Sequence, residues 1–228
     1  MVSAHTSKEF EQELRGLRSR LCAMGQRCEQ QLALAMRALG ERDDAIAQMV
    51  IDADQLIDLD ESEIDELALQ ILATRQPVAS DLRLITMSLK FVTDLERIGD
   101  LAVGIATRVL ELDRFPPLER SPDLGSLATL VQRNLHAVLD SFATEDAHRA
   151  ATVLRADREI DKRNSSLFAE LIAHIATDPA SVTRVLPLTS VCRYLERIGD
   201  HVKNLAEQIV YMVRAYDVRH RPPPPLSN

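Results

Sequence analysis

Apolar residues recur three and four positions apart along almost the whole chain, the pattern of amphipathic helices that each bury one face. It predicts six helices. The first covers about 7–39, with Leu14, Leu17, Leu21, Met24, Cys28 and Leu32 on one stripe and Gly40 as the expected stop. Asp43 or Asp44 is the expected cap of the second, which runs to about Arg75 before Pro77 breaks the chain. Ser80 is the expected cap of the third, about 81–112. The stretch DRFPPLERSPD at 113–123 gathers Pro116, Pro117 and Pro122 and reads as a domain boundary. Ser121 as cap, with Pro122 at the first helical position, is expected to open the fourth helix, about 122–143. Thr144 with Asp146 opens the fifth, about 145–177, and Asp178-Pro179 makes the next turn. The sixth covers about 180–217, and Pro187 in its first turns predicts a kink or a late start. The terminal RHRPPPPLSN reads as an extended, mobile tail.

Three helices, a proline linker and three more helices suggest a duplication. LERIGD occurs at 95–100 and again at 195–200, an offset of 100 residues. Ala53-Asp54 with Ile57-Asp58 matches Ala156-Asp157 with Ile160-Asp161 at an offset of 103, and the change in offset falls at the Pro77 and Pro179 turns, where a length change is cheap. The expected fold is therefore all-α, two tandem three-helix bundles. The first repeat covers 1–115, the linker 116–121, the second repeat 122–217 and the tail 218–228.

Composition narrows the function classes. The net charge of −8 argues against a nucleic-acid partner and suits a cation or a basic protein face. Seven glycines and ten prolines, four of them in the tail, are too few for a chain of short strands and tight turns. Cys22, Cys28 and Cys192 have no paired spacing and read as small buried hydrophobes. The N-terminus lacks an apolar signal segment, and no apolar run approaches the roughly 18 residues of a membrane span. A cytoplasmic location is expected, with membrane contact only through partners.

The chemistry lies in paired carboxylates. Glu96 and Asp100 stand four apart, as do Glu196 and Asp200, so each pair occupies one helix side one turn apart. The preceding helix of each half carries the same spacing, Asp54 with Asp58 and Asp157 with Asp161, and the first ladder extends to Glu61 and Asp65. Like charges so placed repel by about 0.2–0.5 kcal/mol per pair in an isolated helix. Arg97 and Arg197 can offset this as ordinary salt bridges; a metal ion can offset it better, and hard oxygen ligands suit Mg, Mn, Fe or Ca. Gly99 and Gly199 inside the motif imply a close approach, of a neighbouring helix or of a ligand. Asn204, one turn beyond Asp200, is an additional candidate ligand, as is Glu61; the counterpart of Asn204 is Gly104. His201 has Leu101 opposite it in the repeat, so a shared ligand role is not expected of it. No nucleophile elbow, P-loop or dinucleotide fingerprint is present in the sequence.

The two LERIGD copies, the second continuing as HVKNLAEQIVY, with Gln76-Pro77 and Asp81-Leu82-Arg83 in the first half, resemble the PhoU family over about 7–217. The resemblance implies two three-helix bundles. It implies metal binding through E(D)xxxD motifs, here Asp54, Asp58, Glu96 and Asp100, and Asp157, Asp161, Glu196 and Asp200, with Fe, Mn, Mg or Zn as the ion. Gly104 departs from the family's usual Asn, which implies one ligand fewer in the first site or weaker metal binding there. The implied function is non-enzymatic: negative regulation of phosphate uptake and of the phosphate-starvation regulon. The implied contacts are the phosphate transporter ATPase and the sensor kinase PhoR, with the regulator itself a homodimer. Two rival readings of the same carboxylates are a metal-independent helical scaffold and a metal-dependent phosphohydrolase.

Overall fold

A computed structural model describes the backbone of residues 3–119 and 122–218 and the side chains of 8–119 and 122–218. The expected cap Ser121 and residues 219–228 of the expected tail lie outside them. Six helices are present: α1 (Ser3–Glu41), α2 (Asp44–Thr74), α3 (Ala79–Leu112), α4 (Leu124–Thr144), α5 (Ala147–Thr177) and α6 (Val182–Arg214).

Local chemistry sets the boundaries. Asp43 caps α2 by accepting from the Ile46 amide at 3.0 Å, and Asp146 caps α5 by accepting from His148 and Arg149, both at 2.9 Å. Three expectations at helix ends fail for physical reasons. α1 runs through Gly40, and the left-handed residue that ends it is Arg42, at φ 55°. The Arg42 guanidinium donates to the carbonyls of Leu112 and Phe115, a long-range anchor that compensates a conformation usually left to glycine. Ser80 does not cap α3: the helix begins one residue earlier, behind Val78, with no side-chain cap. Pro122 precedes the cap of α4; Asp123 takes that place, accepting from the Ser126 amide at 3.1 Å. A short 3-10 turn, Pro179–Ser181, delays α6 to Val182, and Pro187 is buried inside that helix. Val218, assigned to the tail, is buried in the core.

Each half packs its three helices on one another, and the halves meet where α3 lies on α6 and α1 lies on α4. The α1 stripe is buried from Leu17 to Leu32, with Leu14 packed at its margin. Phe91 of α3 stacks on Phe142 of α4 with ring centroids 4.5 Å apart, which joins the two bundles by one continuous core. Cys28 is buried and donates its thiol to the Leu95 carbonyl at 3.3 Å; Cys192 is buried and Cys22 half-buried, all three as free thiols. Among the described residues, no helix is long and apolar enough to cross a membrane.

Candidate metal centres

The motif glycines place the carboxylates. A β-carbon built at Gly99 would lie 3.0 Å from Ile57 Cδ1, and one at Gly199 would lie 3.3 Å from Ile160 Cγ2. Ile57 and Ile160 are themselves repeat counterparts. Both glycines therefore let the two hairpin helices approach, α2 against α3 and α5 against α6. Of the two expected roles for these glycines, helix packing is the one the contacts account for.

This approach brings one row of acids from each helix to a shared edge. In the first half, Asp54, Asp58, Glu61 and Asp65 line α2, while Glu96 and Asp100 line α3. Burial pushes the Asp54 carboxyl up; the Gln31 side chain, whose Nε2 donates to Oδ1 at 3.3 Å, opposes this, and Asp58 and Asp100 add to it. Glu61 is raised by burial, then by Asp65 and Asp58, with Arg97 opposing. Burial raises Asp65 as well. Glu96 is pushed up to about 7, first by burial and then by Asp100, with Arg97 as the partial offset. Arg97 lies 3.4 Å from Glu96 and 3.0 Å from Asp100. Two carboxylate oxygens, Glu96 Oε2 and Asp65 Oδ1, are buried without a hydrogen-bond partner.

The second half repeats the arrangement with Asp157 and Asp161 on α5 and Glu196 and Asp200 on α6. Glu196 is raised by burial, then by Asp200 and Asp161, against Arg193 and Arg197. Asp200 is raised by burial, then by Asp157, with Lys203 opposing. The Oδ1 of Asn164, at the repeat position of Glu61, is buried without a partner. One feature of this cluster has no equivalent in the first: the Lys203 ammonium donates to Asp157 Oδ2 at 2.7 Å.

The donor set suits a hard cation. Every candidate ligand is an oxygen, the acids raise one another's proton affinity, and Asp65 Oδ1 is buried without a hydrogen-bond partner. In their present rotamers, no three His, Cys, Asp or Glu side chains among the described residues are grouped tightly enough to hold a metal ion.

A profile of the PhoU domain matches residues 21–109 and 124–209, one match in each half. The chain belongs to the PhoU family. The Pseudomonas aeruginosa phosphate-specific transport system accessory protein PhoU homolog is 42% identical over 220 residues, 96% of this chain and 91% of that protein. The Escherichia coli phosphate-specific transport system accessory protein PhoU is 36% identical over 222 residues, again 96% and 91%. The crystal structure of PhoU from P. aeruginosa superposes with a TM-score of 0.88 at 40% identity, covering 91% of this chain and 100% of that one. That of the phosphate transport system regulatory protein PhoU from Streptococcus pneumoniae superposes at 0.85 with 28% identity, covering 92% and 99%.

Within this PhoU fold, Asn204 and Gly104 serve the junction between bundles. Asn204 is not brought to the second carboxylate cluster. Its amide donates to Asp94 Oδ1 at 3.1 Å, beside His201 Nδ1 at 2.8 Å and Gln208, so Asp94 of α3 is held by three side chains of α6. A crevice of about 540 Å³ opens beside this hub, lined in part by Lys90, Thr93 and Tyr211. The repeat counterpart of Asp94 is Tyr194, and its ring lies over Gly104: a β-carbon there would sit 3.1 Å from it. Any side chain at 104 would require that ring to give by a few tenths of an ångström. Sequence reasoning missed Asp94 and Lys203. The signal for Lys203 was its position three residues after Asp200 on the motif face, against Val103 in the first PhoU repeat.

Proposed function

We propose that this chain is an accessory negative regulator of a phosphate-specific transport system, acting by protein contact and without catalysing a reaction. The observation that carries this reading is the paired arrangement of opposed carboxylates on α2/α3 and α5/α6 within a PhoU fold whose relatives bear that name. Its contacts are the transporter ATPase, where it restrains phosphate uptake, and a PhoR-type sensor kinase, where it holds the phosphate-starvation response off. It works in the cytoplasm as a homodimer, reaching the membrane only through these partners.

In this reading Asp54, Asp58, Glu61, Glu96 and Asp100 hold a metal ion in the first repeat, and Asp157, Asp161, Glu196 and Asp200 hold one in the second. When bound, a metal ion such as Fe, Mn, Mg or Zn supplies positive charge that neutralises the carboxylate rows. The chain's own part is positional. Gly99 and Gly199 set the helix spacing, and buried Ile57 and Ile160 keep the two carboxylate rows in register. Asp94 and the Phe91–Phe142 stack tie one repeat to the other. A metal-independent scaffold is the second reading, and the ion pairs of Arg97 and Lys203 with the motif acids favour it: part of the charge is already met from within.

Affinity capture of the tagged chain from phosphate-replete cells tests the regulatory role. Recovery of the transporter ATPase or the sensor kinase is expected, together with constitutive expression of phosphate-starvation genes when the gene is deleted. A deletion strain with normal phosphate repression and no captured transporter or kinase component would overturn it.

A further inference from the structure

The crevice of about 540 Å³ at the α3–α6 junction carries a net negative charge. Asp94 stands on its α3 wall, Glu207 on its α6 wall, and Asp217 borders it beyond the end of α6; Lys90 is the one cation among its described lining residues. Met87, Leu89 and the Tyr211 ring supply apolar surface between the charges. At the opposite end of the junction, Tyr194, the repeat counterpart of Asp94, lays its ring over Gly104. An acid in place of that aromatic sets the crevice apart from its repeat counterpart.

The backbone after α6 leads to this crevice. Ala215 ends the helix in the left-handed conformation, at φ 54°, and turns the chain off the helix axis. Tyr216 then packs against the core, Asp217 lines the crevice and Val218 is buried. The residues that follow, Arg219-His220-Arg221 and then PPPPLSN, therefore depart from the crevice wall. Their chemistry complements it. Two arginines and a histidine follow directly on a site with three carboxylates, and a carboxylate accepts several donors, so contacts already made do not exhaust it. The lengths agree: the α3 wall from Met87 to Asp94 runs about 10 Å, and three extended residues span about 10 Å. The proline run restricts the chain beyond Arg221, which lowers the entropy lost on docking. The first repeat offers a precedent. At an offset of 100, Leu118 corresponds to Val218. There Pro116, Pro117 and Leu118, which follow α3, line a cavity of about 340 Å³ with Val109 of α3 and Leu188 of α6, and Leu118 packs against the core.

We propose that this crevice is the docking site of the chain's own terminal segment, with Arg219, His220 and Arg221 laid along Asp217, Glu207 and Asp94 as a strap across the α3–α6 junction. Single ion pairs at such an edge are weak and screened by salt. The covalent tether supplies the effective concentration that lets several weak pairs suffice. Docking is therefore intramolecular and salt-sensitive, and it stands apart from the regulatory and metal-binding readings above.

The chain contains no tryptophan, so His220→Trp in the full-length protein places a single reporter in the segment. At low ionic strength, acrylamide quenching of its emission is expected to be about threefold weaker than in the same chain carrying Arg219→Glu and Arg221→Glu. Raising NaCl to about 0.5 M is expected to remove most of that protection. Circular dichroism checks that the charge reversals leave the helix content unchanged. Photo-cross-linking from p-benzoylphenylalanine at position 220, mapped by mass spectrometry on the single-chain band, locates the docked segment. Attachment within 87–94 or 204–211 is expected, and it should be lost with the charge reversals. Equal quenching in the parent and charge-reversed chains, or cross-links that map elsewhere or join two copies, would overturn the proposal.

Discussion

Replacing Glu96 with Gln should make the metal-free protein more stable, and by an amount that depends on pH. Glu96 sits between Asp100 and Glu61 with Oε2 buried and without a hydrogen bond, and its carboxyl is pushed from the ordinary 4.5 to about 7. For an acid whose folded value is raised, the folded state keeps a proton that the unfolded chain has already released between those two values. Stability is therefore lost as pH climbs from 4.5 through 7, and the loss is complete above it. At 1.36 kcal/mol per pH unit the whole gap corresponds to about 3 kcal/mol. Solvent screening at this half-enclosed edge, with Arg97 adjacent, reduces that to about 1–2 kcal/mol. Gln has the shape of protonated Glu and no charge, so Glu96→Gln should match the parent at pH 4.5 and exceed it by about 1–2 kcal/mol at pH 8. For a chain of this length that is a rise of about 3–6 °C in melting temperature. Thermal unfolding followed by circular dichroism in chelator, at pH 4.5, 6 and 8, reads the effect. A variant no more stable than the parent at pH 8 would refute the electrostatic reasoning. With saturating Mn2+ the order should reverse, because the variant has lost a ligand.

Other substitutions probe how the sites are held. Asp94→Ala removes the acceptor for His201, Asn204 and Gln208 and should cost about 2–4 kcal/mol in urea denaturation; a cost under 0.5 kcal/mol would remove the hub as an inter-bundle tie. Phe91→Ala should cost about 3–5 kcal/mol by the same assay, since Phe91 is 2% exposed and stacked across the junction. Gly199→Ala and Gly104→Ala should diverge in melting temperature. Both added β-carbons meet tight contacts; the helix-propensity gain of about 1 kcal/mol should offset the milder one, 3.3 Å from Ile160 at Gly199, more fully than the one 3.1 Å from two atoms of the Tyr194 ring at Gly104. Equal melting temperatures for the two would contradict that packing account.

Helix count, order and the duplicated motif were legible because they rest on local periodicity and on repetition. Aspartate caps such as Asp43 and Asp146 were legible for the same reason: the bond is made to an amide two or three residues away. The boundaries that went astray were decided at a distance. Arg42 ends α1 through carbonyls some 70 residues further on, a partnership no local pattern encodes. The carboxylates could be assigned to helix faces from spacing alone, but the direction of Asn204 could not. It turns to Asp94 because α3 and α6 cross at the junction, a fact of packing between repeats. Lys203 escaped notice because the search was for acids shared by both halves, and its importance lies in being unshared. The glycines were ambiguous in sequence and resolved by how close a β-carbon built at each would lie to two isoleucines.

The central claim is that each repeat's opposed acids form one cation site. Elemental analysis of protein reconstituted with Mn2+ and desalted tests it directly, comparing the parent with Glu96→Gln/Asp100→Asn, Glu196→Gln/Asp200→Asn and all four changes combined. Each pair should remove the metal of its own repeat alone, and the combined variant should retain none. Metal content unchanged by any of the three, in protein that keeps its helical spectrum, would contradict the account.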